Sequence, residues 1–328
     1  MTGTNRSRRH HLDAVVVGVG SMGQQHARVY SELPGVTLAG VCDTDDERAE
    51  SVADRYDTVA MDRETALEAA DVASVAVPTE YHYETTLACI NRGVDALVEK
   101  PFVDDLALGR DLAARARAAG VTLQVGHVEE FNPAVRVLGD IVPDLEVVAV
   151  DVQRLGPPVD RAIRDNVVLD LMVHDIGILL SLVEADIERL SAAARDDRHV
   201  TAQFQFKDDT VAVLTASRLA QERVRRLSVT AIECRVNVDF LSQSVEIHRR
   251  SLPEYVEQNG EVRYRQESVV ERPMVENGEP LKNELASFLT AVRTGEEPLV
   301  GAEDAIRVLE VAQDVEREAF RKLQGPAE

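Results

Sequence analysis

Lys100 is the first residue whose type and position could carry chemistry. It follows the apolar run ALVE at residues 96–99, precedes Pro101, and is one of only four lysines in a chain rich in arginine. A lysine is most often a solvated surface charge, but this one stands at the end of a predicted buried strand. Its ammonium group can donate to a substrate hydroxyl and favour loss of the hydroxyl proton, which the arginine fork does less readily. We therefore expect Lys100 to be catalytic.

Asp170 and His174 lie four residues apart in the segment 166–183, which we predict to be one long helix. Residues at this spacing share a helix face, so the carboxylate and the imidazole can point together into a cleft. The unperturbed pKa of histidine, about 6.5, suits removal of an alcohol proton near neutral pH. A histidine satisfied inside the helix is the alternative. Because the flanking residues are apolar nearly all round, and buried polar groups need partners or a function, we expect both residues to be catalytic.

A third polar group follows the last predicted parallel strand, in the run HVEEFNP at residues 127–133. His127, Glu129 and Asn132 would lie at the junction of two domains, where a substrate is commonly held. A polar crossover loop explains each of them almost as well. Metal binding is the rival for the histidines, but the chain has neither H-x-x-x-H nor clustered cysteine spacing, so we expect no metal.

The fold that would position these residues is indicated by the turn after the first apolar strand, in the segment DAVVVGVGSMG. Gly18 permits the tight turn, Gly20 leaves room for a pyrophosphate to contact the backbone, and Gly23 lets the next helix lie close to the sheet. The helix begins near Ser21 and Met22, with its free N–H groups towards the anion. These residues form a predicted dinucleotide-binding turn.

Asp43 ends the second predicted strand, at residues 36–41, and lies twenty residues after Gly23. An acidic side chain at this point accepts hydrogen bonds from the hydroxyls of the adenosine ribose. Because its charge should repel a 2′-phosphate, we expect NAD as the cofactor, with NADP less favoured.

Strands and helices alternate through residues 1–125, which is typical of a doubly wound parallel sheet. Ligands of such folds bind at the carboxyl ends of the strands. That edge should carry four more cofactor-binding residues, Pro78, Thr79, His82 and Glu99. We expect residues 1–125 to be an NAD-binding Rossmann domain.

After residue 126 the pattern changes to consecutive strand-like runs, which favour a mostly antiparallel open sheet in an α+β domain over residues 126–328. The predicted strands are 145–154, 187–194, 199–206, 210–218, 223–231, 233–240 and 245–250. Helices are predicted at 280–294 and 302–323, and the second is a candidate to pack back on the first domain. A large open sheet commonly pairs with a copy of itself, so we expect a homodimer or homotetramer.

Charge excludes several classes of partner. The chain has 328 residues, a net charge of −22 and a pI near 4.8, which repels nucleic acids and anionic membranes alike. With neither a signal-peptide pattern nor a membrane-spanning run, we expect a soluble cytoplasmic protein. The acidic, lysine-poor and tryptophan-free composition is typical of a high-salt cytoplasm, where salt screens self-repulsion. On that hypothesis, stability falls when the salt is diluted.

Six motifs, in the order GVGSMG, CD, VPTEYHYE, VEKPF, VGHVEEFNP and DLMVHDIG, resemble the glucose-fructose oxidoreductase / inositol dehydrogenase family of NAD(P)-dependent sugar oxidoreductases. The resemblance covers almost the whole chain. The last two motifs are most similar to the archaeal UDP-N-acetylglucosamine 3-dehydrogenase branch of that family. This chain departs from the family pattern at Glu130, where arginine is usual, and at Gly177, where aspartate is usual.

The resemblance implies that Lys100, Asp170 and His174 form the catalytic group, the same three that their residue types select. It implies hydride transfer between a sugar hydroxyl carbon and nicotinamide, with the 3-hydroxyl of UDP-N-acetylglucosamine as the expected site. A dehydrogenase of a free cyclitol or aldose, and a non-catalytic dinucleotide-bound sensor, remain alternatives.

A nucleotide sugar carries a pyrophosphate, which needs cations. We assign Arg154 and Asp175 to the substrate site together with His127, Glu129 and Asn132. By residue type alone, Arg161, Arg164 and Arg218 are further candidates for the pyrophosphate.

Overall fold

The computed structural model describes residues 11–158, 165–250, 254–258, 261–265 and 267–321. The chain divides into two units. The first consists of Met1–Phe131 and Glu279–Glu310, and the second of Asn132–Gly278 and Val311–Glu328.

The first unit is built on a five-stranded parallel sheet. Its strands are β1 (Leu12–Val17), β2 (Val36–Cys42), β3 (Val72–Val75), β4 (Asp95–Glu99) and β5 (Leu123–Gly126). They lie in the order β2-β1-β3-β4-β5, and every residue of the last three strands in that order is buried. Such continuous burial is typical of a parallel sheet covered on both faces. The predicted doubly wound parallel fold is confirmed.

Helices connect these strands: α1 (Ser21–Glu32), α2 (Asp46–Tyr56), α3 (Arg63–Ala69), α4 (His82–Arg92) and α5 (Leu106–Ala119). The side chains of Asp45, Asp62 and Asp105 accept hydrogen bonds from backbone N–H groups and so cap α2, α3 and α5. At their other ends α4 and α5 stop at Gly93 and Gly120, both in the left-handed conformation. Local sequence therefore determines where these helices begin and end.

The helix α8 (Pro280–Thr294) belongs to the first unit, although the division at residue 126 places it in the second domain. Its Phe288 lies in the same hydrophobic cluster as Val16 of β1 and Tyr30 of α1. The apolar stripe of a helix predicts that one face is buried, but it does not identify the sheet that covers that face.

The second unit contains the predicted mostly antiparallel sheet, which is confirmed. Its strands are β6 (Val147–Leu155), β7 (Ile187–Asp196), β8 (His199–Phe206), β9 (Val211–Ser217), β10 (Val224–Ala231), β11 (Arg235–Asp239) and β12 (Ser244–Arg250), followed by β13 (Glu254–Gln258), β14 (Glu261–Arg265) and β15 (Ser268–Glu271). Eight strands form one sheet in the order β15-β12-β11-β10-β6-β9-β8-β7, and β13 pairs with β14. Within the sheet β6 and β9 run parallel. The strands β13, β14 and β15 are not among the predicted strands. The residues of β15 are all exposed, so this strand has no buried face that an apolar alternation could mark.

Two helical segments of the second unit differ from the prediction. The helix α6 (Pro133–Ile141) was not predicted, and the segment 166–183 is not one continuous α-helix. It begins with a π-helical turn at Val168–Met172 and continues as α7 (Val173–Leu182). Single π turns of this kind occur frequently at functional sites.

The last helix of the described chain is α9 (Ala302–Phe320). In the described part of the chain, no helix has the length and hydropathy needed to cross a membrane.

Candidate active site

The three glycines of the turn between β1 and α1 have different surroundings. Gly18 has φ +86°, and a Cβ there would meet the carbonyl oxygen of Ala76 at 2.7 Å. A Cβ on Gly23 would lie 1.9 Å from the carbonyl oxygen of Gly18, so the first turn of α1 needs glycine to pack against the preceding loop. At Gly20, by contrast, no atom of the described chain lies within 4 Å of an added Cβ. The protein itself needs Gly18 and Gly23, whereas Gly20 opens onto free space.

The N-terminus of α1 is suited to an anion. Gly20 is the N-cap residue, and no described side chain caps the helix there. The first residues of the helix, Ser21 and Met22, are exposed. Uncapped N–H groups and the positive end of the helix dipole together favour a phosphate group.

Asp43 lies directly after β2, beside the glycine turn. Its Oδ2 accepts a hydrogen bond from the backbone N–H of Val19 at 2.8 Å, and its Oδ1 accepts one from the N–H of Asp45 at 3.0 Å. The guanidinium group of Arg48, one turn into α2, donates to the same Oδ1 at 3.1 Å. The carboxylate is thus held in a fixed place, and an arginine offsets part of its charge.

A cleft of about 1240 Å³ in the first unit collects many of the predicted residues. The predicted residues that line it are Gly18, Gly20, Met22, Asp43, Pro78, Glu99 and Lys100. Ser21, Gly23, Thr79 and His82 are not among the described lining residues. Two lining residues that the sequence analysis missed are Arg48 and Arg63, at the starts of the helices that follow Asp43. The volume exceeds the roughly 300–1,000 Å³ of ordinary small-molecule sites, as an extended ligand requires.

His82 is buried behind this cleft, with 1% of its surface exposed. Its Nδ1 lies 2.9 Å from the carbonyl oxygen of Pro101, and its Nε2 lies 2.8 Å from that of Val77. It therefore ties the segment after β3 to the segment after β4. Thr79 begins a short 3₁₀ turn, Thr79–Tyr81, between the two. Direct cofactor contact by His82 and Thr79 stays a prediction.

Lys100 follows β4 directly, and its peptide bond to Pro101 is cis. The backbone N–H of Lys100 donates to Oε2 of Glu99 at 3.2 Å, and Oε1 of Glu99 lies 3.0 Å from Nε2 of His26. Burial opposes ionisation of Glu99, but the hydrogen bond from His26 and the positive charge of Lys100 hold its pKa below the ordinary value. A buried carboxylate therefore accepts from the backbone of the lysine, and the lysine charge favours its ionised form.

His127 lies near the same lysine. It is 3% exposed, and burial together with the charge of Lys100 lowers its pKa to about 4. The imidazole is thus neutral at physiological pH. Glu129 lies nearby in sequence, half-buried in the 3₁₀ turn Val128–Phe131. Their contact with a substrate stays a prediction.

In the second unit Asn132 caps α6. Its Oδ1 accepts from the N–H of Ala134 at 3.1 Å, and its Nδ2 donates to the carbonyl oxygen of Phe240 at 3.2 Å. The side chain is buried and thus has a structural function, whatever further role the predicted substrate contact would add.

Asp170 lies in the π turn, and His174 is the second residue of α7, half-buried. Oδ2 of Asp170 accepts from Nη2 of Arg218 at 2.5 Å, while Nη1 of Arg218 donates to the carbonyl oxygen of Asp165 at 3.0 Å. The partner of Asp170 is therefore an arginine that is, by residue type alone, a candidate for the substrate pyrophosphate. The other arginine candidates, Arg161 and Arg164, lie outside the described residues.

Arg154 of β6 and Asp175 of α7 form a buried ion pair. Nη2 and Nε of the arginine lie 2.7 Å and 2.9 Å from Oδ1 of the aspartate, and the two residues are 3% and 1% exposed. The guanidinium carbon lies 5.8 Å from the ring centroid of Phe240. The two predicted substrate residues are thus partners of each other, and their contact with a substrate stays a prediction.

Across the described residues, no group of three or more histidine, cysteine, aspartate or glutamate side chains is placed to hold a metal ion.

Known proteins are similar to this chain in sequence and in fold. The family model described as "Oxidoreductase family, NAD-binding Rossmann fold" matches residues 12–127. A UDP-N-acetylglucosamine 3-dehydrogenase from Acidithiobacillus ferrooxidans is 32% identical over 249 residues, which cover 73% of this chain and 78% of that protein. The myo-inositol dehydrogenase Hyg17 from Streptomyces leeuwenhoekii is 31% identical over 230 residues, or 63% of this chain and 70% of the relative. Among solved structures, a UDP-N-acetylglucosamine 3-dehydrogenase from Acidithiobacillus ferrooxidans superposes with a TM-score of 0.85 at 28% identity, covering 96% of this chain and 99% of the other.

Proposed function

The chain belongs to the NAD-binding Rossmann-fold oxidoreductase family of glucose-fructose oxidoreductases and inositol dehydrogenases, and from this premise we propose that it oxidises a sugar hydroxyl. The observation that carries the proposal is the cleft of the first unit, where Gly20, Asp43 and Lys100 line one space. These residues supply a phosphate site, an acceptor for the ribose hydroxyls and a hydrogen-bond donor for the developing alkoxide.

The residues of this cleft fit a dinucleotide. The open space at Gly20 and the uncapped start of α1 suit a pyrophosphate, and Asp43 suits the adenosine ribose. When bound, the nicotinamide accepts the hydride. We propose NAD as the preferred cofactor, because the Asp43 carboxylate opposes a 2′-phosphate. Arg48 weakens this opposition by pairing with the carboxylate, so the preference is moderate.

The proton chemistry falls to three side chains. His174 takes the proton from the sugar hydroxyl, and the ammonium group of Lys100 stabilises the developing alkoxide. Asp170 orients the imidazole from the adjacent π turn, and Arg218 holds Asp170 in place. Residue type and the resemblance to the family support these roles, and the contact with Arg218 supports the placement of Asp170.

For the substrate we propose the 3-hydroxyl of UDP-N-acetylglucosamine. Its support is the similarity to a dehydrogenase of that name over 78% of the relative's length. One observation favours a free cyclitol instead. Arg154 and Arg218 are both engaged in ion pairs with aspartates, which leaves them less available to a pyrophosphate.

The test is NADH formation across a panel of UDP-sugars, free sugars and inositols in high-salt buffer. We expect UDP-N-acetylglucosamine to be oxidised with the highest kcat/KM, and Lys100→Met or His174→Ala to lower kcat by about 10²–10⁴-fold without loss of NADH binding. Near-normal turnover in either variant would defeat the mechanism. Preferential turnover of an inositol would retain the chemistry and replace the substrate.

A further inference from the structure

A buried chain of hydrogen bonds runs from α1 to the end of β4, beneath Lys100. Nε2 of His26 lies 3.0 Å from Oε1 of Glu99, and its Nδ1 lies 2.9 Å from Oγ of Ser74. The same Oγ lies 3.0 Å from the hydroxyl oxygen of Tyr30. His26, Ser74 and Tyr30 are 0% exposed. The chemistry proposed above uses none of these three side chains.

The carboxylate end of this chain has a fixed donor. An ionised Glu99 can only accept, so Nε2 of His26 donates to it. On the other side of the ring, Nδ1 pairs with the hydroxyl of Ser74, which in turn pairs with the hydroxyl of Tyr30. The imidazole is thus held at both nitrogens, and one of them binds the carboxylate next to Lys100.

Glu284 of α8 is a second buried carboxyl in the same cluster, and it differs from Glu99. It is 0% exposed, and neither of its carboxyl oxygens has a hydrogen-bond partner among the described residues. Burial, and then the charge of Glu99, raise the pKa of Glu284 well above its ordinary range. Of the two buried carboxyl groups, Glu284 is thus the one whose ionisation the fold opposes, whereas Glu99 has neighbours that favour its charged form.

The Glu99 carboxylate has little room to move. A Cβ on Gly126 would lie 3.2 Å from its Oε1, so the glycine backbone closes one side. The titratable groups that act on it are His26 from α1, Lys100 beside it, Glu284 from α8 and the neutral His127 after β5. His127 is neutral near neutral pH, and burial opposes the ionisation of Glu284, so Glu99 is the favoured anionic neighbour of the lysine.

We propose that His26 and Glu99 are positioning residues for Lys100: His26 fixes the carboxylate, and the carboxylate holds the backbone and the positive charge of the lysine. This inference rests on the proposed function, because it assumes that Lys100 acts on the substrate. Glu284 then has no part in turnover. The two glutamates provide a matched pair for a test.

The experiment compares Glu99→Gln with Glu284→Gln, the same substitution in one buried cluster. We expect Glu99→Gln to lower kcat by about 10- to 100-fold through misplacement of the lysine, while NADH binding stays within about twofold. Glu284→Gln should keep the kcat of the unmodified protein.

Gly126→Ala covers the case in which Glu99→Gln fails to fold. The added methyl group presses on Oε1 of Glu99 without removing its charge, so kcat should fall. An unchanged kcat in Gly126→Ala, or equal losses in Glu99→Gln and Glu284→Gln, would overturn the inference. Lys100→Met separates the two proposals. If Lys100→Met abolishes turnover while Glu99→Gln matches the unmodified protein, only the proposal that His26 and Glu99 position the lysine is rejected. If Lys100→Met retains turnover, the proposed function is rejected.

Discussion

In the first unit, Gly20, Asp43 and Lys100 line one open cleft, whereas in the second unit Arg154 and its partner are sealed inside a buried ion pair. The difference arises from how each residue is placed. Carboxyl ends of parallel strands meet at one edge of a sheet, so residues that follow them converge whatever their side chains do. A long arginine side chain reaches its partner only through tertiary packing.

The two regions also differ in whether their polar groups have partners within the protein. The start of α1 has backbone N–H groups that no described side chain caps, which prepares it for a ligand. The charges of Arg154 and Asp175 are satisfied by each other, and their removal from water has already been offset within the fold. We therefore expect substitutions in the first region to affect binding most, and substitutions in the second to affect stability most.

The largest effect should come from Asp175→Asn, which leaves the charge of Arg154 buried without its partner. We expect a loss of about 3–5 kcal/mol in the free energy of unfolding, as for other broken buried pairs. Urea unfolding followed by circular dichroism measures it. The double variant Arg154→Met, Asp175→Leu is the control and should recover most of the loss. If Asp175→Asn instead keeps its stability and raises KM for the sugar, Arg154 is a substrate residue and the contrast between the units disappears.

A smaller effect is expected at the glycine turn, where Gly23→Ala and Gly20→Ala form a matched pair. The methyl group at residue 23 would overlap the carbonyl oxygen of Gly18, so we expect a destabilisation of about 1–3 kcal/mol from overpacking, with weaker NADH binding. At residue 20 the methyl group meets no atom of the described chain, so stability should be kept while NADH binding weakens. Thermal unfolding and NADH fluorescence titration distinguish the two. Tight NADH binding by Gly20→Ala would argue against a pyrophosphate at this turn.

His127 should make the first unit sensitive to acid. Because its pKa falls from 6.5 to about 4 on folding, the unfolded chain binds more protons in that window, and stability decreases as pH falls through it. At pH 6 the contribution is a loss of about 1 kcal/mol relative to neutral pH. The change in unfolding free energy between pH 7.5 and pH 6 should be smaller by that amount in His127→Asn. An NMR titration showing an ordinary histidine pKa for this residue would contradict the prediction.

The smallest effect concerns the cofactor. Removal of the half-exposed Arg48 frees the Asp43 charge to oppose a 2′-phosphate, so Arg48→Ala should weaken NADPH binding relative to NADH by about threefold, the scale of an exposed ion pair. Asp43→Asn should change the ratio in the opposite direction. Parallel Kd measurements with the two dinucleotides test both variants, and equal ratios in all three proteins would remove residues 43 and 48 from cofactor selection.

Much of the first unit could be predicted from short segments. Gly18 and Gly23 were assigned the tight turn and the close helix packing that their geometry now requires, and Asp43 and Lys100 were placed at the strand ends where they lie. These features depend on a few neighbouring residues and on the parallel topology, and both can be recognised from the amino-acid sequence.

Other parts could not be predicted in this way. The π turn around Asp170 breaks a helix that looks uniform by composition, and the apolar stripe of α8 could have packed on either sheet. His26 carried no signal, because its partner Glu99 is 73 residues away in sequence.

The sequence alone determined the doubly wound parallel sheet, the antiparallel second sheet, the glycine turn and the three residues proposed for catalysis. Only the tertiary structure decided which polar side chains would be partners, such as His26 with Glu99 and Arg154 with Asp175. The physical reason is that strand and turn patterns are set by local sterics and alternating burial, whereas the pairing of a buried charge depends on which distant segment supplies the compensating group.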